Sequence, residues 1–306
     1  MKFNDYLLTC REENDITQEK LVQELYSFDD SFAGLDINTY SRWERGVTQP
    51  SSSKQLLILK LFQNYSTDIF PCFLQLDDPE HALCNIGIKN LIGHSKSHIL
   101  SFPMNVFKVD NIRISHIRSH IDIDLMLNMP QKLMEGITNN HYEVSTTHLK
   151  EWSLHPSNMF LVSECDGQFF GMFFALRLKP KIFQKLISFE MKIKDIVSED
   201  FATFEEDGCN FPFSFFAYNE KIASLLYIRY YAHLISHQND IQEIGAISIL
   251  KGGEKLIEKI HLKHFKDDVV DDLTLKSYSA TINDVLLNED VLKVVFGSQD
   301  CVEENK

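Results

Sequence analysis

The chain has 306 residues, of which 44 are Asp or Glu and 30 are Lys or Arg, so its formal net charge is −14. Hydrophobic residues make up 44% and charged residues 24%, and this ordinary globular usage excludes wholesale disorder and a fibrous repeat. An acidic chain also does not coat nucleic acid or an anionic membrane through bulk charge, so any contact with DNA has to be local.

The length predicts two domains, because a single hydrophobic core usually stops growing near roughly 250 to 300 residues. We place a helical domain at residues 1–75, a connector at 76–104 and a second domain at 105–300. Two acids followed by Pro79 mark the first boundary. The expected fold class is an all-α N-terminal domain followed by an α/β domain with a mixed sheet.

The sequence also predicts a cytoplasmic protein with no membrane contact. Its longest uncharged runs have 12 residues, such as Trp152 to Ser163, whereas a membrane-spanning helix needs roughly 20. The first residues meet an acid, Asp5, before any apolar stretch, so we expect no signal peptide. Six scattered cysteines without a Cys-x-x-Cys pair favour reduced thiols over a disulfide framework or a zinc site.

The N-terminal domain begins with helical stripes of apolar residues. The stripe of the first helix, at residues 3–14, contains Phe3, Tyr6, Leu7 and Cys10. Thr17 stands at the expected N-cap of a second helix with Leu21, Val22 and Leu25 on its buried face. A short third helix is expected over residues 36–46, with Tyr40 and Trp43 facing inward and Gly46 as its C-terminal stop.

Three sequence blocks occur in order: residues 17–21, residues 39–46, and the apolar helix 56–62 that follows Pro50. Together they resemble the lambda-repressor and Cro-like (XRE-type) helix-turn-helix family over about residues 3–65. The connection before the third helix is several residues longer than the tight turn of that family. The resemblance implies a domain that binds double-stranded DNA and reads bases with its third helix.

Base reading needs amide or guanidinium groups near the start of a helix, and flanking groups that donate to phosphates. The resemblance places Asn38, Thr39 and Arg42 at base edges, Gln18 at a phosphate or against Asn38, and Arg45 and Lys54 at the DNA backbone. The alternative for this domain is a small helical module that binds protein.

The charge of the N-terminal domain limits how it would bind DNA. Residues 1–75 contain seven basic and eleven acidic side chains, a net charge of −4. Few phosphates would be neutralised, so nonspecific binding should be weak. We therefore expect a homodimer on a palindromic operator, with half-sites roughly one helical turn apart.

In the second domain, strand-like and helix-like patterns alternate. The order is a strand at 111–116, helices at 121–134 and 146–152, a hairpin turning at Asp166-Gly167, a strand at 211–218, a helix at 223–237, a strand at 244–250 and a helix at 253–263. This order predicts a mixed α/β sheet.

That order resembles the GNAT acyltransferase superfamily over about residues 105–300, with residues 152–156 leading into the hairpin and residues 253–265 forming the last helix. The resemblance places an acyl-CoA pyrophosphate at a turn formed by Asn219, Lys221, Ile222 and Ala223. That turn contains no glycine and carries Glu220, whereas pyrophosphate is usually bound by glycine-rich backbone at a helix N-terminus.

The catalytic positions of that family also depart from its pattern. Its usual tyrosine acid falls at Ile260, and the glycine before its closing phenylalanine falls at His264, with Tyr218 as another candidate acid. We therefore expect a non-catalytic domain without a cofactor that serves ligand sensing, dimerisation or partner binding. The alternative is an active acyl-CoA-dependent N-acyltransferase that the N-terminal module targets.

Two further patterns concern ligands. The phenylalanine-rich strands either form a core face or line a pocket for a small apolar or acyl-type ligand. The pairs His94/His98, His116/His120 and His233/His237 have the spacing of metal ligands on a helix. Only the last pair falls on an expected helix, and no carboxylate follows at ligand spacing, so we expect no metal site.

The sequence as a whole is interpreted as a dimeric, sequence-specific transcriptional regulator. The acyltransferase is the second hypothesis, and an antitoxin-like partner of another protein is the third. The operator, the sign of regulation and the ligand are left open by the sequence.

Overall fold

The computed structural model describes residues 2–65, 112–116, 144–165, 168–218, 220–249, 251–270 and 273–296. The chain divides into two compact units. The helical unit consists of residues 1–88 and 286–306, and the sheet unit consists of residues 89–285. The chain after Leu286 therefore belongs to the helical unit, although it follows the sheet in sequence.

The described helices alternate with strands only in the sheet unit. The helices are α1 (Phe3–Glu13), α2 (Gln18–Phe28), α3 (Ile37–Glu44), α4 (Ser52–Phe62), α5 (Thr146–Leu154), α6 (Pro180–Ile187), α7 (Glu220–Ser236), α8 (Lys251–Lys259), α9 (Ile282–Leu286) and α10 (Glu289–Val295). The strands are β1 (Ile112–His116), β2 (Met159–Cys165), β3 (Gln168–Leu178), β4 (Gly208–Ala217), β5 (Ile241–Ser248), β6 (Lys263–Val270) and β7 (Leu273–Thr281). None of the described helices is both long and apolar enough to cross a membrane.

Local capping sets the ends of the first helices. The Thr17 hydroxyl accepts the Lys20 N–H at 3.2 Å, which confirms the predicted N-cap of α2. The Asp36 carboxylate accepts the Thr39 N–H at 2.6 Å at the start of α3. Gly46, with φ +69°, follows α3 in the left-handed region, as expected for a helix stop.

The seven described strands form one mixed sheet in the order β1-β2-β3-β4-β5-β7-β6. Neighbouring strands are antiparallel except for β4 and β5, which are parallel. The predicted fold class is therefore confirmed: helices come first, and a mixed α/β sheet follows. The hairpin predicted at residues 166–167 is confirmed by the pairing of Cys165 with Gln168.

Helices cover both faces of this sheet. Consecutive phenylalanines on a strand point to opposite sides, so both faces carry apolar rings that have to be buried. On one face the Phe174 ring lies 4.9 Å from Phe160, within a core that includes Trp152 of α5. On the other face the Phe173 ring stacks on Tyr230 of α7, with 4.4 Å between centroids. The phenylalanine-rich strands thus form core faces in the described sheet.

The end of the sheet unit differs from the sequence prediction. The helix predicted over residues 253–263 ends at Lys259, His261 has φ +65°, and β6 begins at Lys263. The β6–β7 hairpin was not predicted, because the first five residues of β6 are all exposed and show no alternation of buried and exposed positions. Helix α6 was also missed, and the helix predicted at 121–134 lies outside the described residues.

Candidate functional site

The outward face of α3 is the first candidate site. Asn38, Arg42 and Arg45 are exposed and recur at a helical spacing of four and three residues, so they lie along one side of the helix. Tyr40 and Trp43 are buried on the opposite side, as predicted. Helix α3 therefore presents one amide and two guanidinium groups away from the core.

The other predicted DNA contacts lie around this face. Thr39 is partly buried, and its N–H is bonded to Asp36. The Arg45 Nε donates to the Ser41 carbonyl at 3.1 Å. Lys54 is partly buried at the start of α4, with its Nζ 5.8 Å from the centre of the Phe32 ring.

Gln18 is bound within the helical unit through its amide. Its Nε2 donates to Oε2 of Glu44 at 2.6 Å, and Oε1 of Glu44 accepts from Nε of Arg11 at 2.6 Å. The Glu44 side chain is 4% exposed and the Arg11 side chain 16%. The bond to Glu44 raises the pKa of Arg11.

This Arg11–Glu44–Gln18 network fixes the orientation of α3, because it joins one residue from each of α1, α2 and α3. Nη1 of Arg11 also donates to the Ile16 carbonyl at 3.0 Å, which anchors the connection between α1 and α2. Arg11 and Glu44 were not predicted from the sequence. They are 33 positions apart, and no local pattern connects them.

A second candidate site lies where β4 and β5 separate. The two strands are paired only through Gly208 with Ile241 and Asn210 with Ile244, although β4 continues to Ala217 and β5 to Ser248. Beyond Asn210, β4 pairs with β3, and beyond Ile244, β5 pairs with β7. The parallel pair therefore opens at its C-terminal end, and α7 begins three residues after β4.

The residues predicted to hold acyl-CoA lie at the start of α7. Asn219 lies outside the described residues, and Lys221 lies in the first turn of α7. Ile222 and Ala223 are 2% and 0% exposed. A methyl group on Gly171 would come within 2.8 Å of Cγ2 of Ile222, so this glycine permits the close packing of α7 on β3.

The candidate catalytic positions lie on or directly after three different elements of the sheet unit. Tyr218 directly follows β4, and its ring lies 5.2 Å from Phe216 and 5.6 Å from Phe170. Ile260 follows α8 and is buried, and His264 lies in β6 with its Nε2 2.6 Å from Oδ1 of Asp267. His264 was aligned with a helical position, and that alignment is wrong because the helix ends at Lys259.

The pair His233/His237 lies at the C-terminal end of α7 with 4.7 Å between ring centroids. The Phe204 ring stacks on His237 at 4.5 Å, and the Arg177 guanidinium lies 5.2 Å from the centre of Phe204. Burial lowers the pKa of His233 to about 3 and also lowers the pKa of His237. Within the described ranges, no three or more His, Cys, Asp or Glu side chains form a group that could hold a metal ion. His94, His98 and His120 lie outside those ranges.

Comparison with known proteins gives structural neighbours only. No family model matches the chain, and no curated protein matches it. An N-acetyltransferase from Staphylococcus aureus Mu50 is similar at 15% identity over 56% of this chain and 99% of its own, with a TM-score of 0.37. A ribosomal-protein-alanine N-acetyltransferase from Brucella melitensis is similar at 12% identity, over 55% and 99%, with a TM-score of 0.36.

An aminoglycoside N(6′)-acetyltransferase from Legionella pneumophila is a third neighbour, at 10% identity over 57% of this chain and 94% of its own, with a TM-score of 0.35. All three are named as acetyltransferases, and the sequence of the second domain was likewise found to resemble acyltransferases. At these scores and identities the likeness carries no argument about what this chain binds or catalyses.

Proposed function

We propose that this protein binds double-stranded DNA in a sequence-specific manner through α1–α4, with α3 as the reading helix. The observation that carries the proposal is the exposed row of Asn38, Arg42 and Arg45 on a helix whose other side is buried. Amides pair with adenine and guanidinium groups with guanine in the major groove. The Arg11–Glu44–Gln18 network supports the proposal because it holds this row in one orientation.

The sheet unit is proposed as a non-catalytic sensing or dimerisation module of this regulator. Its glycine-free turn before α7, and the isoleucine at position 260 where the resemblance expects a tyrosine acid, support this assignment over catalysis. The net charge of −4 over residues 1–75 makes a homodimer on a palindromic site the expected binding form, because symmetry doubles the specific contacts.

The test is Arg42→Ala, measured by fluorescence anisotropy on a duplex selected from random DNA by the full-length protein. Loss of a bidentate base contact should weaken binding by about 1–3 kcal/mol, roughly 5- to 150-fold, and relax specificity at one base pair. The matched control is Arg113→Ala, which removes an exposed arginine from β1 and should leave the affinity unchanged. Equal affinities of Arg42→Ala and the native protein would show that Arg42 does not read bases.

An acyl-CoA site is the second candidate function, and the opening between β4 and β5 is the observation that favours it. Strand edges that lose their ladder partner keep backbone donors and acceptors for an extended ligand. Calorimetric titration with acetyl-CoA tests this candidate, with ATP as a control that shares the adenosine and the phosphates. Micromolar binding of acetyl-CoA alone would support an acyl-CoA site, and no heat with acetyl-CoA would exclude it.

A further inference from the structure

The core of the helical unit is completed by the C-terminal segment of the chain. Helix α10 packs against α4. The Phe296 ring, directly after α10, lies 5.1 Å from Phe3 and 5.4 Å from Tyr6 of α1, and Tyr6 in turn lies 6.0 Å from Phe62 of α4. Leu292 is 1% exposed. Apolar side chains separated by more than 200 positions thus form one cluster.

A polar contact joins α10 to α4. Oγ of Ser53 donates to Oε1 of Glu289 at 3.1 Å, which joins the first turns of the two helices. Oδ1 of Asn288 accepts the Val291 N–H at 2.9 Å and caps α10. The first turn of α4 that receives Glu289 also carries Lys54, a proposed phosphate contact.

Helix α10 and the helices it covers depend on each other. Its seven residues are far fewer than the roughly 12–15 that make an isolated helix even marginally stable in water, so packing holds it helical. Since binding energies are reciprocal, α1 and α4 are stabilised by α10 to the same extent. Loss of α10 together with Phe296 would expose Phe3 and Tyr6 to water.

The connection from the sheet to α10 is short. Strand β7 ends at Thr281, α9 begins at the next residue, and only Leu287 and Asn288 lie between α9 and α10. Both residues are buried, with 6% and 3% exposure. The end of β7 is therefore connected to α10 by α9 and two buried residues.

We propose that α10 is a coupling helix, which makes DNA binding by the helical unit depend on the state of the sheet unit. This inference rests on the proposed DNA-binding function. With α10 docked, α1 and α4 are held together, and Arg11 of α1 keeps α3 in its binding arrangement through Glu44. A ligand or partner of the sheet unit that shifts α10 would change the population of this arrangement.

The experiment uses full-length protein in a two-by-two design. One change, Phe173→Ala, perturbs the sheet core, and the other inserts eight Gly and Ser residues after Leu287 to slacken the connection. In the native-length chain, Phe173→Ala should weaken binding to the selected duplex by about threefold or more, whereas in the chain with the insertion it should have no effect. Equal responses of the two chains would overturn the proposal.

The contact itself is tested by Phe296→Ala, with Phe265→Ala as the matched control because Phe265 is 49% exposed in β6. Phe296→Ala should weaken DNA binding by about tenfold or more, and Phe265→Ala should not change it. Unchanged affinity of Phe296→Ala would show that α10 is not needed for binding.

The coupling can also be measured without DNA, because the two tryptophans report the unfolding of the two units. Trp43 lies in α3 and Trp152 in α5. A Trp152→Phe background leaves Trp43 to report the unfolding of the helical unit, and a Trp43→Phe background leaves Trp152 to report that of the sheet unit. Coupling predicts that Phe173→Ala lowers the Tm reported by Trp43 only in the native-length chain. If Phe173→Ala lowers this Tm but no duplex is bound, the proposed DNA-binding function alone is refuted. If a duplex is bound but Phe173→Ala does not affect the helical unit, this inference alone is refuted.

Discussion

The helical unit and the sheet unit bind a guanidinium that is largely removed from water in different ways. In the helical unit, Arg11 is paired with the carboxylate of Glu44, 2.6 Å away. In the sheet unit, Arg177 is 1% exposed and donates to backbone carbonyls, those of Thr203 at 3.2 Å, Glu206 at 2.8 Å and Asp240 at 2.9 Å. Its pKa is lowered by burial, whereas the pKa of Arg11 is raised by its carboxylate partner.

This difference shows that a buried cation can serve two structural purposes. The Arg11–Glu44 pair joins helices and fixes the surface that we propose to read DNA. Arg177 instead fixes loops at one end of the sheet, and its charge lies near His233 and His237, which lowers the pKa of both imidazoles further. Residues 2–65 and 286–296 contain no histidine, so this acid-sensitive arrangement is confined to the sheet unit.

The largest expected effect is that of Arg177→Ala on the sheet unit. The substitution leaves three partly buried carbonyls without their donor and opens a cavity at a side chain that is 1% exposed, so the free energy of unfolding should fall by about 4 kcal/mol. Urea unfolding followed by Trp152 fluorescence measures it. The control is Lys179→Ala, whose Nζ donates to the Glu199 carbonyl at an exposed position and should cost less than about 1 kcal/mol. Equal losses would mean that the carbonyl bonds of Arg177 contribute little.

Glu44→Ala should have the next largest effect, on the helical unit. Without Glu44, Arg11 keeps a mostly buried charge and Gln18 loses its acceptor, so unfolding should become easier by about 3 kcal/mol. Unfolding monitored by Trp43 tests this. Glu12→Ala is the matched control, because Glu12 is 63% exposed and 3.7 Å from the same arginine. If Glu44→Ala and Glu12→Ala lower the free energy of unfolding equally, the Arg11–Glu44 pair does not stabilise the helical unit as proposed.

Acidification should distinguish the two units with a smaller effect. Unfolded histidine takes up a proton near pH 6.5, whereas the folded-state pKa of His233 is about 3, so the unfolded state binds more protons between these values. The sheet unit should therefore be fully stable above about pH 7 and lose at most about 1.4 kcal/mol per pH unit for each imidazole below pH 6.5. Asp240 moderates the loss, because its Oδ2 lies 3.7 Å from Nδ1 of His237.

The helical unit should keep its stability over the same range. The pKa values of Asp29 and Asp36 are lowered by hydrogen bonds from the backbone of Ser31 and Thr39. Their contribution is present above the unfolded pKa of about 3.9 and is lost only below it. Trp152 should therefore report acid unfolding at a higher pH than Trp43, and His233→Gln should narrow the gap. Simultaneous unfolding at one pH in the native protein would contradict the contrast.

Much of the fold followed from local sequence signals. The N-cap at Thr17, the helix stop at Gly46 and the inward side of α3 were predicted because each depends on residues within a few positions. The hairpin between β2 and β3 was predicted for the same reason. The β6–β7 hairpin was missed because an exposed edge strand has no alternating burial to reveal it.

The candidate sites were predicted in part. The row of Asn38, Arg42 and Arg45 follows from helical spacing once α3 is expected. The bond of Gln18 to Glu44 could not be derived, because it depends on how α2 and α3 pack. The opening between β4 and β5 could not be derived either, since the pattern of a strand does not reveal which neighbour it pairs with or where that pairing ends.

The sequence by itself determined two kinds of region, an acidic helical segment with a guanidinium-bearing third helix and a phenylalanine-rich mixed sheet. Only the tertiary structure decided that residues 286–296 return to the helical unit and cover Phe3 and Tyr6. The physical reason is that a seven-residue helix has little stability of its own, so its place is set by the apolar surface it buries. That surface is formed by residues more than 200 positions away, beyond any local pattern.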